Sequence, residues 1–291
     1  MNRRFSSKLL LFGEYSVLHG SDACAFPFPE FSGILSATAG KHPQGSTLQD
    51  SNRSLHQLWE YLKEPSRVEK SAVILDLKKF GKDLSNGLWF DSDIPLHYGL
   101  GSSGALVAAV YDRYKLSKPA AGLAGLKENL AMIESFFHSR SSGTDPLVSY
   151  LDQPVVISAK GIETGGTDLG TLRKFIRIDL VDSGVPGKTK TGVSGFEKEF
   201  LGSEEIRRVY ESEYIPLVNN IIDRLKQADG HELFDDCLKL SRYQTKLFAR
   251  LFTGEMLELA LAGIAGGTEA IKLCGSGGGG YFIRIRPAQG V

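Results

Sequence analysis

Glycine lets backbones approach closely and turn sharply, and this chain concentrates it. The segments Gly99-Leu100-Gly101-Ser102-Ser103-Gly104 and Gly275-Ser276-Gly277-Gly278-Gly279-Gly280 carry three and five of its 33 glycines. Such stretches have no helix or strand stability of their own. They are useful where a turn is tight or where uncovered N–H groups must face a ligand. The first cluster opens Ala105 to Tyr114, apolar and alanine-rich without strand-like alternation, which reads as a buried helix. A helix starting near Gly104 presents free N–H donors and the positive end of its dipole, a setting suited to phosphate. The other reading of the same residues is a glycine-rich cap packed against a neighbouring element.

Other uses of these glycines fail on context. Gly99 to Gly104 satisfies the dinucleotide pattern GxGxxG, yet Pro95-Leu96-His97-Tyr98 precedes it where a hydrophobic strand is required. Gly275 to Gly280 satisfies it too, but is followed by the strand-like Tyr281-Phe282-Ile283-Arg284-Ile285 instead of a helix. Gly187-Lys188-Thr189 ends like a Walker A loop, but the glycine required five positions before Gly187 is Asp182, whose charge would repel phosphate.

Thirty-four Lys plus Arg balance 34 Asp plus Glu in 291 residues, so no basic excess points to nucleic acid. A 42% hydrophobic content supports one large or two medium cores. The apolar run Leu9 to Phe12 stops at Gly13-Glu14, too short for a signal or spanning segment, so neither secretion nor a membrane partner is expected. Cys24, Cys237 and Cys274 form no CxxC and the six histidines no HExxH, which implies a reducing cytoplasmic setting and no tightly held transition metal.

Along the chain, Lys8 to Phe12 reads as a strand ending in a sharp turn, and Leu55, Leu58, Trp59 and Leu62 as one face of a helix. Val73-Ile74-Leu75 and Leu88-Trp89-Phe90 read as strands. A second helix is expected from about 120 to 137, then a polar loop from His138 to Asp145 and strands at 154–157 and 175–181. From about 197 to 261 the pattern is helical. A boundary near residue 170 divides the chain into expected domains 1–170 and 171–291.

Three separated segments in fixed order carry a resemblance: Lys8-Leu-Leu-Leu-Phe-Gly13-Glu14-Tyr15-Ser-Val-Leu-His19-Gly20, Pro95-Leu-His-Tyr-Gly99-Leu-Gly-Ser-Ser-Gly104, and Lys272-Leu-Cys-Gly275-Ser-Gly-Gly-Gly-Gly280. They resemble the motifs of the GHMP kinase superfamily, small-molecule kinases acting on galactose, homoserine, mevalonate and phosphomevalonate. Within it the sequence is most similar to the mevalonate kinases. Glu134-Ser-Phe-Phe-His138-Ser-Arg-Ser-Ser142-Gly143-Thr-Asp145 is similar to a run with a magnesium-binding glutamate, a histidine four later and a Ser-Gly-x-Asp ending in the catalytic aspartate. Pro186-Gly-Lys188-Thr189-Lys190 is similar to a basic, threonine-containing loop near the phosphates.

The chain also departs from the pattern. Phe5-Ser6-Ser7 replaces the usual Ala-Pro-Gly, Tyr15 a substrate-binding histidine, Arg140-Ser141 the customary Asn-Pro, and Cys274 a common threonine. These positions bear on acceptor identity more than on kinase chemistry.

The resemblance implies an α+β fold of two domains with nucleotide and substrate in the interdomain cleft, ATP and Mg2+ as cofactors, and a small alcohol such as mevalonate as acceptor. It implies Asp145 and Lys8 as catalytic residues, and Ser103 and Glu134 as metal ligands. Gly99, Gly101, Ser102, Ser103, Gly104, Gly275, Gly277 and Gly278 would serve the ATP phosphates. Glu14, Tyr15, His19 and Thr189 would lie on the substrate side, and a homodimer is compatible with it. Phosphomevalonate kinase, another GHMP kinase, and a catalytically silent metabolite sensor stand as alternatives.

Overall fold

The computed structural model describes residues 3–37, 46–116, 122–138, 141–166, 168–187 and 203–288. Thr189, Arg140, Lys188 and Lys190 therefore lie outside the described residues. Contacts group the chain into two compact units. The first holds residues 1–8, 27–94 and 101–152, the second 9–26, 95–100 and 153–291. Strands β1 (Phe5–Phe12) and β2 (Ala23–Ala37) contribute residues to both.

In the first unit, α1 (Ser46–Lys63), α2 (Val68–Ile74) and α3 (Leu77–Ser85) lead to β3 (Leu88–Ser92), which pairs antiparallel with the far end of β2 from Gly33↔Ser92 to Ala37↔Leu88. The helical spacing expected around residue 55 holds. Leu55, Leu58 and Leu62 are fully buried, and Trp59 Nε1 donates to the Leu77 carbonyl at 2.9 Å. Helix α4 (Ser102–Tyr114) is buried along most of its length, as its alanine-rich composition requires. Asp83 of α3 anchors its far end through Arg113 at 2.7 Å and the Tyr114 hydroxyl at 2.9 Å. Helices α5 (Gly122–Glu134) and α6 (Thr144–Leu151) complete the unit, with Tyr111 of α4 edge-on to Tyr150 of α6.

Two differences from the sequence reading have physical causes. Val73 and Ile74 end helix α2 instead of forming a strand, and Val73 is exposed. Leu75 alone makes a bridge, to Lys115. Three apolar residues cannot by themselves distinguish a helix end from a short strand. The 15-residue strand β2 escaped notice because Pro27 and Pro29 interrupt it, and proline ordinarily argues against a strand interior.

In the second unit, the start of β2 pairs with β4 (Val155–Ser158), Ala23 opposite Ile157, and β4 turns into β5 (Gly161–Thr164). A single turn α7 (Leu169–Leu172) precedes β6 (Ile176–Asp182). Then come α8 (Glu204–Val209), a π-helical turn (Tyr210–Tyr214), α9 (Ile215–Lys226), α10 (Leu233–Leu247) and α11 (Gly254–Gly266). Strands β7 (Ala270–Leu273) and β8 (Tyr281–Pro287) close an antiparallel sheet in the order β6-β8-β7. Val218, Ile221, Ile222, Phe248, Phe282, Ile283 and Ile285 are among its fully or nearly fully buried side chains.

Candidate active site

The first unit brings four of the expected residues together. Lys8, on β1 and 4% exposed, places Nζ 3.1 Å from Asp145 Oδ2. Asp145 lies in the first turn of α6, started by Gly143 in the left-handed region. The N-terminus of α4 abuts this pair. A Cβ on Gly101 would stand 2.7 Å from Lys8 Cγ, and one on Gly104 would stand 2.8 Å from the Asp145 backbone carbon. The glycines thus let a helix start come within contact of a charged pair, and the cap and cradle readings of the sequence coincide. Ser102 opens the helix. Its first turn leaves N–H groups free for an anion.

Ser103, one residue on, points its hydroxyl at Glu134 Oε1 and at His138 Nε2, each at 3.3 Å. Glu134 ends α5 and is 3% exposed. Its other oxygen accepts from the Ser141 hydroxyl, which in turn accepts from the Gly143 N–H at 2.9 Å. Burial, and then the Asp145 charge, push the Glu134 carboxyl up to about 7, against the lowering effects of Ser141, Lys8 and Ser103. A buried carboxylate beside a second one favours a nearby cation, and the hydroxyl and carboxylate oxygens here are the hard donors that magnesium takes. Among the described residues no cluster of three or more His, Cys, Asp or Glu could hold a metal alone. Magnesium bound through one carboxylate and substrate phosphates needs none.

The remaining expected residues belong to the second unit. Gly99 and Gly275 meet backbone to backbone: a Cβ on Gly99 would stand 2.3 Å from the Cys274 carbonyl oxygen. Gly278 N–H donates to the Leu251 carbonyl at 2.7 Å, and Gly277 packs against the same residue. Glu14 is buried and forms an ion pair with Lys272, itself 1% exposed. Lys272 also donates to the Leu273 carbonyl at 2.7 Å and lies over the Phe12 ring. The Tyr15 hydroxyl donates to the Ser276 carbonyl at 2.5 Å, and its ring stacks on Phe248. Burial, and then the Glu14 charge, raise that hydroxyl well above the ordinary phenol range, so it stays a donor. His19, on the short 3-10 turn Ser16–His19, meets Tyr210 edge-on.

Read from the sequence, Ser141, His138 and Lys272 have no role at the site, although His138 and Lys272 stand within the motifs and Ser141 within a departure tied to acceptor identity. The pairing of Ser141 with Glu134 carries no signal in the sequence, because it is set by the fold. Lys272 did carry one: a lysine between Ile271 and Leu273, just before a glycine loop, must either reach solvent or find a buried acid.

Residues 67–153 match the family of GHMP kinases N terminal domains. A mevalonate kinase of Pyrococcus abyssi is 27% identical over 97% of this chain and 88% of its own length. Mevalonate kinase of L. major, solved with R-mevalonate, superposes with a TM-score of 0.67 at 16% identity, covering 99% of this chain and 87% of that one. Streptococcus pneumoniae phosphomevalonate kinase, solved with phosphomevalonate and AMPPNP, gives 0.59 at 13% identity over 98% and 92%. With its motifs in order, residues 67–153 matching the GHMP kinases N terminal domain and its fold similar to these kinases along nearly the whole length, the chain is similar to the GHMP kinases from end to end.

Proposed function

We propose that this protein is an ATP-dependent kinase that phosphorylates the primary hydroxyl of mevalonate. The observation that carries the reading is the Lys8 to Asp145 contact of 3.1 Å, set against the start of a helix whose next hydroxyl faces a buried glutamate. The curated relatives that align over 97% of the chain are named mevalonate kinases, which favours mevalonate over other acceptors.

Phosphoryl transfer requires an aligned acceptor hydroxyl, a destination for its proton, and neutralisation of phosphate charge. Asp145 takes the proton from the acceptor hydroxyl through a carboxylate oxygen. Lys8 places its ammonium beside that oxygen, lowers the pKa of the hydroxyl and stabilises charge developing on it. The free N–H groups of the first turn of α4 receive phosphate oxygens, joined by the Ser102 and Ser103 hydroxyls. Glu134 and Ser103 would hold Mg2+, which when bound supplies charge neutralisation on the β- and γ-phosphates. Ser141 holds the second oxygen of Glu134 so that the first faces Ser103.

A silent sensor would have no use for a lysine, a metal-type glutamate and a general base gathered in one place. Action in the cytoplasm agrees with three free thiols, of which burial pushes those of Cys24 and Cys237 up to about 12 and out of the reactive range. Among the described residues no helix is long and apolar enough to cross a membrane.

The test is a panel assay: purified protein with Mg-ATP and either mevalonate, phosphomevalonate, galactose or homoserine, reading ADP release and product mass. Fastest turnover with mevalonate is expected. A preference for phosphomevalonate would move the assignment to its kinase, and ATP binding with no ADP from any acceptor would leave only a sensor.

A further inference from the structure

Tyr15 has a backbone that tyrosine rarely adopts. Its φ of 60° and ψ of −43°, with Ser16 N–H donating to the Glu14 carbonyl at 2.6 Å, make it the central residue of a γ-turn of the rare, strained hand. Such strain persists only where the surroundings over-determine it. Here they do so at two adjacent side chains. Glu14 reaches Lys272, the third residue before Gly275, and the Tyr15 hydroxyl reaches the carbonyl of Ser276, the residue after Gly275. One strained turn therefore grips the entry of the last glycine loop and its first bend.

The loop needs such a grip. Gly275, Gly277, Gly278, Gly279 and Gly280 all have positive φ, so their own conformational preferences fix little. The later part is tied by its own backbone, Gly278 N–H to Leu251 and Gly280 N–H to Val185, both at 2.7 Å. The earlier part, from Gly275 to Gly277, is tied through the Ser276 carbonyl by the Tyr15 hydroxyl. The Tyr15 ring is fixed in turn by its stack on Phe248, with centroids 5.7 Å apart.

We infer that Tyr15 is a positioning residue that orders the Gly275 to Gly277 stretch for the nucleotide, acting on the phosphate side of the reaction and not on the acceptor. The inference rests on the kinase reading for its kinetic consequence, though not for its structural one. A hydroxyl that touches the loop carbonyl instead of substrate should influence KM for ATP and leave KM for the acceptor unchanged.

The decisive variant is Tyr15→Phe, which keeps the ring and its stack on Phe248 and deletes only the donor. In the ligand-free protein, backbone NMR order parameters at Gly275 and Gly277 should fall from about 0.85 to below about 0.6, while those of β8 hold. In the kinase assay, KM for ATP should rise about fivefold, the change that one net hydrogen bond carries, with KM for mevalonate and the melting temperature nearly unchanged. Unchanged order parameters would overturn the inference. So would a shift in KM for mevalonate with none for ATP, which would return Tyr15 to the substrate. If wild-type protein phosphorylates nothing in the panel, the kinase reading falls, and the order parameters still decide whether Tyr15 holds the loop.

Discussion

Each unit contains a lysine paired with a carboxylate, and the two pairs differ in one physical respect. Lys8 and Asp145 meet with the aspartate side chain 35% exposed, whereas Lys272 and Glu14 are each 1% exposed. Water reaches the first pair, so a substrate hydroxyl can reach it too, and its charges remain available for chemistry. The second pair is sealed, so its charges can only hold structure. Under the proposed function, similar residue types thus serve reaction in one place and architecture in the other, and solvent access decides which.

The largest effect should come from the open pair. Asp145→Asn keeps the shape and removes the proposed proton acceptor, so kcat should fall by about 10²- to 10⁴-fold with nucleotide affinity and melting temperature nearly intact. Ordinary turnover in that variant would break the comparison at its first term. The sealed pair should behave in the opposite way. Lys272→Met leaves the Glu14 charge buried without its partner, and denaturant titration should show a loss of about 3–5 kcal/mol. The double variant Glu14→Leu/Lys272→Met should recover most of that loss, because replacing a buried pair by apolar groups is often neutral. A double variant as unstable as the single one would mean that the pair does more than balance its own charges.

These contrasts also mark what could be read from the chain. Lys8, Ser103, Glu134 and Asp145 were legible because their chemistry fixes residue types at motif spacings, and the helix after Gly104 because buried alanine-rich runs have few other uses. Ser141 was not, since its value lies in reaching Glu134 from seven residues away through a turn. Nor was the strained backbone at Tyr15, which nothing in Gly-Glu-Tyr-Ser announces. Helix α6 was read as the end of a polar loop, because Gly143-Thr144-Asp145-Pro146 looks like a turn until Gly143 is seen to cap a helix. Patterns reveal elements whose faces repeat, while side chains that act through one specific partner need the fold.

Glu134 sharpens the comparison from within the first unit, because its charge is neither sealed with a cation nor open to water. Its carboxyl is raised from 4.5 to about 7 in the folded protein. The unfolded chain then releases that proton at lower pH than the folded one, so between about 4.5 and 7 stability falls as pH rises. The destabilisation is absent below the unfolded value and complete above the folded one, where it amounts to roughly 3–4 kcal/mol at about 1.4 kcal/mol per pH unit. Metal-free Glu134→Gln should therefore be more stable than the parent at pH 8 by about that amount and equal to it at pH 4. Thermal melts at the two pH values with chelator present read this directly. A variant no more stable at pH 8 would mean that the carboxylate already has adequate neutralisation from Lys8.

The smallest effects concern glycines in the first turns of two helices. In the first unit, a Cβ at Gly104 would press against the Asp145 backbone and Pro146 N at 2.8–2.9 Å, atoms that cannot swing aside. Gly104→Ala should cost about 1–3 kcal/mol as overpacking, and because the displaced atoms carry the proposed proton acceptor it should also lower kcat. In the second unit, Gly254 begins α11 after Thr253, whose side chain accepts from Met256 N–H, and a Cβ there meets nothing within 4 Å. Alanine suits the helical backbone better than glycine and narrows the unfolded ensemble, so Gly254→Ala should stabilise by about 0.4–1 kcal/mol without touching turnover. If Gly104→Ala were as stabilising as Gly254→Ala, the close approach at Gly104 would not be what that glycine is for, and the start of α4 would lose its claim to be fitted around Lys8 and Asp145.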